Sequence, residues 1–484
     1  MNSSASLLRP RASVAALLVL TSVVACSSKD HSAARHDAGT DAPMGSGGKM
    51  SGGGGSSPAA NGGTPVATGG TTPASGGTTA ATDAPPPPQM KDFCSLPGSI
   101  LFDESGRHVV GTDTGSLPWL TVQKGFCAHH YATLASVREI RFGPGGEFFG
   151  ASPGQSMVGG ANAGLGAVVM LPDDNNDGQA EAPIKILPGL TQAHGFAFAP
   201  GYIYYQATTT EIRRVKYESG SRTPIANANT AGELVANIQV YTSTSHWTKT
   251  IDVSDDGTVY VTNGGDQGSN CAQPTPFQGG ILKIDGSSGG HQVARGFRNP
   301  IHVRCQHGTN HCFATELGRD SSATLGGREK LILVTEGDDW GHPCCASKNV
   351  PFSDITPAPD CSKVASEDNA FVIGSTPFGF DFAPQSWPAP LAGSVFIALH
   401  GVFGSWTGAR VVAIATDPVT GMPLKSSTTG MTASGPITDF ASGWDDMSNA
   451  HGRPAIATFA PDGRLFVGDD TTGEVFWVAP IVTH

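Results

Sequence analysis

The residues with the clearest chemical potential are a histidine and an aspartate twenty positions apart, His246 and Asp266. His246 lies in Ser245-His246-Trp247-Thr248-Lys249, and Asp266 in Gly264-Gly265-Asp266-Gln267-Gly268-Ser269-Asn270, beyond an alternating strand. Hairpin strands fold back on each other, so the two can meet. A carboxylate on one imidazole nitrogen leaves the other as a general base near neutral pH. A single histidine of this kind is more often a loop cap, so the company it keeps decides its meaning. Gly296-Phe297-Arg298-Asn299-Pro300 sets a guanidinium and an amide before a proline-stiffened strand, where they can reach an anionic or polar ligand. Gly452-Arg453-Pro454 stands in the same relation to a later strand, and His400-Gly401, Ser405-Trp406 and Arg410 form a fourth group.

These groups need a scaffold that gathers distant segments, and the sequence supplies one. An apolar residue, a Pro or Asp with Gly, and an alternating aromatic or β-branched run recur at Phe142–Phe149, Phe198–Tyr204, Val253–Val261 and Phe459–Val467. Asp-Gly between alternating strands is the strongest short hairpin signal. Degenerate copies near Val303 and Phe382 bring the count to six, at intervals of 56, 55, 50, 79 and 77 residues. Six repeats with few helix-periodic runs predict an all-β, six-bladed β-propeller over residues 93–484. A large β-sandwich would show shorter and more even spacing. The long intervals predict insertions on one face, containing Glu316–Asp320, Gly341-His342-Pro343-Cys344-Cys345 and His400–Trp406. A propeller funnels its loops to one pocket, which is what the four candidate groups require.

Composition divides the rest. Of 484 residues, 64 are Gly and 35 Pro, and 29 basic against 41 acidic side chains leave a net charge of −12, which argues against nucleic acid as a partner. Residues 1–25 read as an export signal, with Arg9 and Arg11 ahead of an apolar run too short to span a bilayer. Val23-Val24-Ala25-Cys26 resembles a bacterial lipobox, so Cys26 is the expected lipidation site. Residues 26–92 are Gly-, Ser-, Thr- and Pro-rich and cannot bury enough apolar area to fold, so they are expected to be a disordered tether. The expected placement is an exported lipoprotein, outer-membrane-anchored and facing the periplasm or the cell surface, touching the membrane by its lipid alone.

Eight cysteines remain after Cys26, an even number that suggests disulfides in an exported chain. Cys94 with Cys127 and Cys305 with Cys312 are the expected local pairs. Cys271, Cys344, Cys345 and Cys361 would then pair among themselves. No zinc quartet and no C-x-x-C-H haem motif occurs. Asp173-x-Asn175-x-Asp177-Gly178 looks like half an EF-hand loop, yet Ile184 stands where the closing Glu belongs, so an Asx-rich turn is expected there. Glu316–Asp320 is read as a possible structural cation site, and His129-His130 as surface residues.

Taken together, these motifs resemble the soluble quinoprotein aldose dehydrogenases, including glucose, sorbosone and pyranose dehydrogenases. The resemblance covers nearly all of residues 95–484. His246 with Asp266-Gln267-Gly268 and Asn270 is similar to the family's catalytic histidine and Gly-Asp-Gln-Gly strand end, and Gly296–Pro300 resembles its Gly-x-Arg-Asn-Pro loop. Trp340-Gly341-His342-Pro343 is similar to a turn whose backbone oxygens hold calcium, which places Gly341 and Pro343 as metal ligands. Arg453 falls where the family has a cofactor-carboxylate Arg, Gln192 is comparable to a pocket Gln, and His400 stands near a cofactor-contacting Lys.

The resemblance implies pyrroloquinoline quinone (PQQ) and Ca²⁺ as cofactors. It implies His246 as the base, Asp266 orienting it, and Arg298 stabilising charge on the quinone oxygen. Gln192, Lys249, Arg298, Asn299, His400, Arg410 and Arg453 would surround the cofactor and its three carboxylates. The implied reaction is oxidation of a sugar (an aldose, pyranose or sorbosone-like aldehyde) by hydride transfer, giving a lactone from an aldose. An external quinone or cytochrome would accept the electrons. His342, Ile301 and His400 depart from the glucose enzymes' pattern, which bears on the substrate more than on the cofactor. The competing readings are a calcium-dependent lactonase and a non-catalytic carbohydrate- or protein-binding propeller on a surface stalk.

Overall fold

The computed structural model describes residues 91–109, 112, 117–153, 165–191, 193–239, 246–265, 271, 277–285, 290–320, 322, 325–367, 369–401, 409–427, 435–444 and 451–482. The signal, Cys26 and the tether up to residue 90 lie outside the described residues, as do Gln192, Asp266–Asn270, Ser405 and Trp406.

Six antiparallel sheets of four or five strands account for nearly all of the regular structure described. The innermost strand of each is Glu139–Phe142, Phe196–Ala199, Ile251–Val253, Asn299–Cys305, Pro377–Phe382 or Pro454–Phe459. Each packs beside the next, and the last packs against the first, closing a ring. The predicted propeller is therefore observed, with one blade per repeat. The repeat motif is the end of an innermost strand and its turn into the second. Gly146, Gly201, Gly257 and Gly463 all adopt φ between 78° and 92° there, a left-handed conformation that a side chain disfavours.

The sixth blade is completed from the other end of the chain. Phe126–Thr133 pairs antiparallel with Glu474–Pro480 as its fourth strand, and Ile100–Leu101 adds a fifth. His129, expected at the surface, is instead buried in this closing strand, its ring stacked on Trp477 at 5.0 Å. Its Nε2 meets the Pro97 carbonyl at 2.9 Å. The strand is buried on both faces from Phe126 to His129, so His129 is enclosed whichever way its side chain points. Cys94–Cys127 ties the start of the domain to the closing strand.

The insertion expected after the fourth repeat runs between the third and fourth strands of blade four, and its Asp338–Asp339 pairs parallel with His291–Arg295 of blade three. Cys271–Cys344 and Cys345–Cys361 complete the set left open by spacing, and Cys305–Cys312 closes the fourth blade's first hairpin. The Asp173–Gly178 segment is an Asx-rich turn. Asn175 Oδ1 accepts the Asp177 N–H, Asp177 Oδ1 accepts the Gln179 N–H (2.8 Å each), and Arg222 pairs with Asp174.

The ring is sealed at mid-depth by charge. Glu139 of blade one meets His302 of blade four at 3.1 Å across the axis, and Arg141 bridges Glu139 at 3.1 Å and Asp252 of blade three at 3.0 Å. Burial pushes the Glu139 carboxyl up, but Arg141 and His302 outweigh it and hold it at about 2.

The Cys94–Cys127 bridge closes 33 residues of chain across the ring's closure. Its removal by Cys94→Ser with Cys127→Ser is expected to cost about 2–4 kcal/mol. A denaturant midpoint unchanged from that of the unmodified protein would contradict this role for the closing strand.

Candidate functional site

The N-terminal ends of the innermost strands carry an unusual set of side chains. Arg138, His194, Lys249, Arg298, Thr376 and Arg453 each stand one or two residues before such a strand, one per blade, and Asn299 opens the fourth. Equivalent positions in a closed ring lie at one end of its axis. Among the described residues, buried atoms without a hydrogen-bond partner occur in several parts of the domain, and five of them belong to this set or to its neighbour Thr248: His194 Nδ1, Thr248 Oγ1, Asn299 Oδ1, Thr376 Oγ1 and Arg453 Nη1. Buried polar atoms are nearly always paired, so five orphans at one end of an axis mark a place built for a polar ligand or ordered water.

His246 precedes the third blade with φ 53°, and its Nδ1 donates to the Gly265 carbonyl at 2.6 Å. A carbonyl can only accept, so the ring's proton sits on Nδ1 and Nε2 is the basic nitrogen. Gly264 is required here by close approach. A Cβ on it would lie 2.4 Å from His246 Cβ and 3.1 Å from Asn299 Oδ1. The Gly265 N–H donates to the Arg298 carbonyl at 2.6 Å, stitching blade three to blade four. Lys249 is fully buried, and its Nζ donates to Asn263 Oδ1 at 2.8 Å with no carboxylate partner among the described residues. Burial alone pushes its amine down to about 7.

Arg298 is held by its backbone and its side chain. Its N–H donates to Glu316 Oε1 at 3.1 Å, and Glu316 is fixed in turn by Lys330 at 2.9 Å, a buried ion pair. Its guanidinium meets Asp320 at 2.5 Å. The acids of Glu316–Asp320, read as a cation site, thus take the protein's own cations. Beside them Glu329 is buried, accepting the Thr376 N–H at 2.5 Å. Burial nevertheless pushes its carboxyl from 4.5 up to about 8.

The Gly341–Pro343 turn is docked on this loop, since His342 N–H donates to the Gly296 carbonyl at 2.8 Å. Gly341 was expected to offer its oxygen to a metal. That oxygen accepts the N–H of Cys344 at 3.0 Å and of Cys345 at 2.7 Å, because Gly341 at φ 89° turns the chain tightly back.

On the far side, Arg453 Nε donates to the His400 carbonyl at 2.9 Å, and burial lowers its guanidinium to about 10. His400 is fully buried, stacked on Phe378 at 4.1 Å and bonded through Nε2 to Asp470 at 3.0 Å. Burial pushes its imidazole down to about 4, so it is a neutral residue where the resemblance has a cation. Arg410 is paired with Asp439 at 3.0 Å.

The fold therefore gathers His246, Lys249, Arg298, Asn299, His400 and Arg453 at one end of the ring. Sequence reasoning missed Arg138, His194, Glu329 and Asp470. Arg138 was within reach, because it stands before the first repeat as Arg453 stands before the last. Nothing local distinguishes Glu329 or Asp470, whose partners come from other blades.

No protein-family model matches the chain, and no curated protein matches its sequence. Solved structures do resemble its fold. A Trichoderma reesei protein of Carbohydrate-Active Enzymes Family AA12 aligns over 75% of this chain and 97% of its own, at 18% identity and a TM-score of 0.60. The PQQ domain of pyranose dehydrogenase from Coprinopsis cinerea, in its holo form, aligns over 74% and 96%, at 16% identity and 0.59. The soluble aldose sugar dehydrogenase of Escherichia coli, in its apo form, aligns over 73% and 99%, at 13% identity and 0.50.

Glu329 is neutral in the fold and ionised when unfolded. Its stabilising effect is fully present below about pH 4.5 and is lost as the pH rises through about 8. Glu329→Gln is expected to remove that slope, so the variant gains stability relative to wild type from pH 5 to pH 8. Parallel pH–stability curves for the two proteins would contradict the assignment.

Proposed function

We propose that the protein is a sugar dehydrogenase that binds PQQ at the polar end of the propeller axis. The observation that carries this reading is that a histidine of defined tautomer, His246, stands at the same end of the propeller axis as Arg298, Asn299 and Arg453, the four residues coming from three blades. The likeness in fold to a pyranose dehydrogenase PQQ domain and to an aldose sugar dehydrogenase supports it.

The residues fit a flat polyanion. Arg453 Nη1 is a buried donor without a partner, and Asn299 Oδ1 is a buried acceptor without one. Arg298 and Arg453 add guanidinium charge to the site, and guanidinium forks match carboxylates well. Bound there, PQQ would supply a two-electron acceptor. His246 Nε2 takes the proton of the sugar hydroxyl, and the Gly265 carbonyl keeps the imidazole in the tautomer that can do so. Arg298, set by Glu316 and Asp320, stabilises negative charge that develops beside it, without needing to reorganise. The bare Gly264 backbone lets these groups approach one another.

The Gly341–Pro343 turn does not fit a calcium ion held by both carbonyls, because the Gly341 oxygen is spent within the turn. No step is assigned to calcium. The exported, lipid-anchored placement expected from residues 1–92 belongs to the same proposal, with a separate acceptor taking the electrons.

The test is to add PQQ to the purified protein, with and without Ca²⁺, and follow the quinone absorbance as aldoses and pyranoses are supplied. Bleaching by a sugar is the expected result, and no change with any sugar overturns the reading. His246→Ala should keep PQQ binding while dye-linked turnover falls about 10²–10⁴-fold, the usual contribution of a positioned base.

A further inference from the structure

Arg453 has one solvent-inaccessible Nη1 without a partner, and its Nε is fixed by a backbone carbonyl rather than by an acid. A buried guanidinium is costly unless something holds it in place, so what fixes that carbonyl matters. The carbonyl belongs to His400, whose ring is immobilised on both its face and its edge. Phe378 stacks on the face at 4.1 Å and 1° between planes, and Asp470 Oδ1 accepts from Nε2 at 3.0 Å. The other Asp470 oxygen, Oδ2, meets Arg138 Nε at 2.9 Å, and Arg138 lies over the same Phe378 ring at 5.8 Å. The backbone closes the loop, since the Asp470 N–H donates to the Arg453 carbonyl at 3.4 Å.

Asp470 thus stands at a seam. It follows the second strand of blade six, while Arg138 precedes the first strand of blade one and His400 follows the second strand of blade five. One carboxylate joins three blades where the ring closes. Burial pushes Asp470 up, but His400 and Arg138 outweigh it and hold it well below the usual carboxylate range. It is ionised throughout the working range and spends its charge on Arg138. Its neighbour Asp469 has the opposite character, since burial and the Asp470 charge raise it to about 7.

We propose that Asp470 is the positioning residue of the anion site: by locking His400 and neutralising Arg138, it presents Arg453 Nη1 as the donor that captures one carboxylate of the bound quinone. This rests on the PQQ reading above. It also accounts for a neutral histidine at position 400. A cation there would compete with Arg138 for Asp470 and release the carbonyl that orients Arg453.

The experiment is a double-mutant cycle on PQQ affinity, measured by quenching of tryptophan fluorescence without substrate or turnover. Asp470→Asn keeps the shape and can still accept from His400, but it loses the charge that pairs with Arg138. It is expected to weaken PQQ binding about tenfold, within the range of couplings between connected polar groups. Arg453→Met should weaken it at least as much, and the double variant should bind no worse than Arg453→Met alone. A role limited to general stability would instead give additive losses, and additive losses overturn the proposal, as does an Asp470→Asn variant that binds like wild type. His400→Gln, which leaves the Asp470–Arg138 pair intact, provides the same cycle should Asp470→Asn fail to fold. If wild type binds no PQQ, the functional reading falls and the anion-site role falls with it. If wild type binds and the cycle is additive, only the role of Asp470 falls.

Discussion

Closing six sheets into a ring forces the inner faces of six short strands against one another, and those faces are rich in charge. Water cannot reach most of that interior, so each charge needs a partner within the protein, and several find it on another blade. Glu139 therefore pairs with His302 across the axis, Arg141 with Asp252, and Arg304 reaches Thr458 at 2.9 Å. Removing either member of such a pair leaves a buried charge uncompensated, which makes the axial network a register for the whole ring. It also divides the axis, with a sealed ionic layer at mid-depth and an incompletely satisfied polar end above it.

That division positions the site. Below the seal, charges are matched within the protein. Above it, Asn299 Oδ1, Arg453 Nη1 and Thr376 Oγ1 have no protein partner. The cost of such orphans is tolerable only where something else completes them, whether a ligand or water. The surrounding architecture keeps them in place. Glu316–Lys330 fixes the Arg298 backbone, Glu329 holds the start of the fifth inner strand, and Cys271–Cys344 ties the segment after Gly265 to the Gly341 turn. Positioning groups of this kind are buried, and they lie either within one blade, as Glu316–Lys330 does, or between blades, as Glu329 with Thr376 does.

Much of this was legible in the residues. The Pro/Asp-Gly turns marked four of the six blades because a left-handed glycine is a local requirement, visible wherever it occurs, and spacing supplied the other two. Arg298 and Arg453 were legible because each stands at the same offset before its inner strand, and His246 because it precedes a hairpin that returns to Asp266. The Cys94–Cys127 and Cys305–Cys312 bridges were legible from proximity in sequence. His129 was misread because its burial depends on pairing with Trp477, almost 350 positions away. The two hydrogen bonds to the Gly341 oxygen were not legible, because they depend on how tightly the chain turns back to Cys344 and Cys345.

Residue patterns alone settled the fold class, the number of blades and the residue types brought to the axis. Those follow from local periodicity, turn chemistry and composition, which act over a few residues. Only the tertiary structure decided which cation is spent and which is available. Arg138 is neutralised by Asp470, Arg410 by Asp439, and Lys249 is buried against an amide, while Arg453 keeps an unpaired edge. Electrostatic partnership depends on distance in space, and ring closure sets those distances between segments hundreds of residues apart.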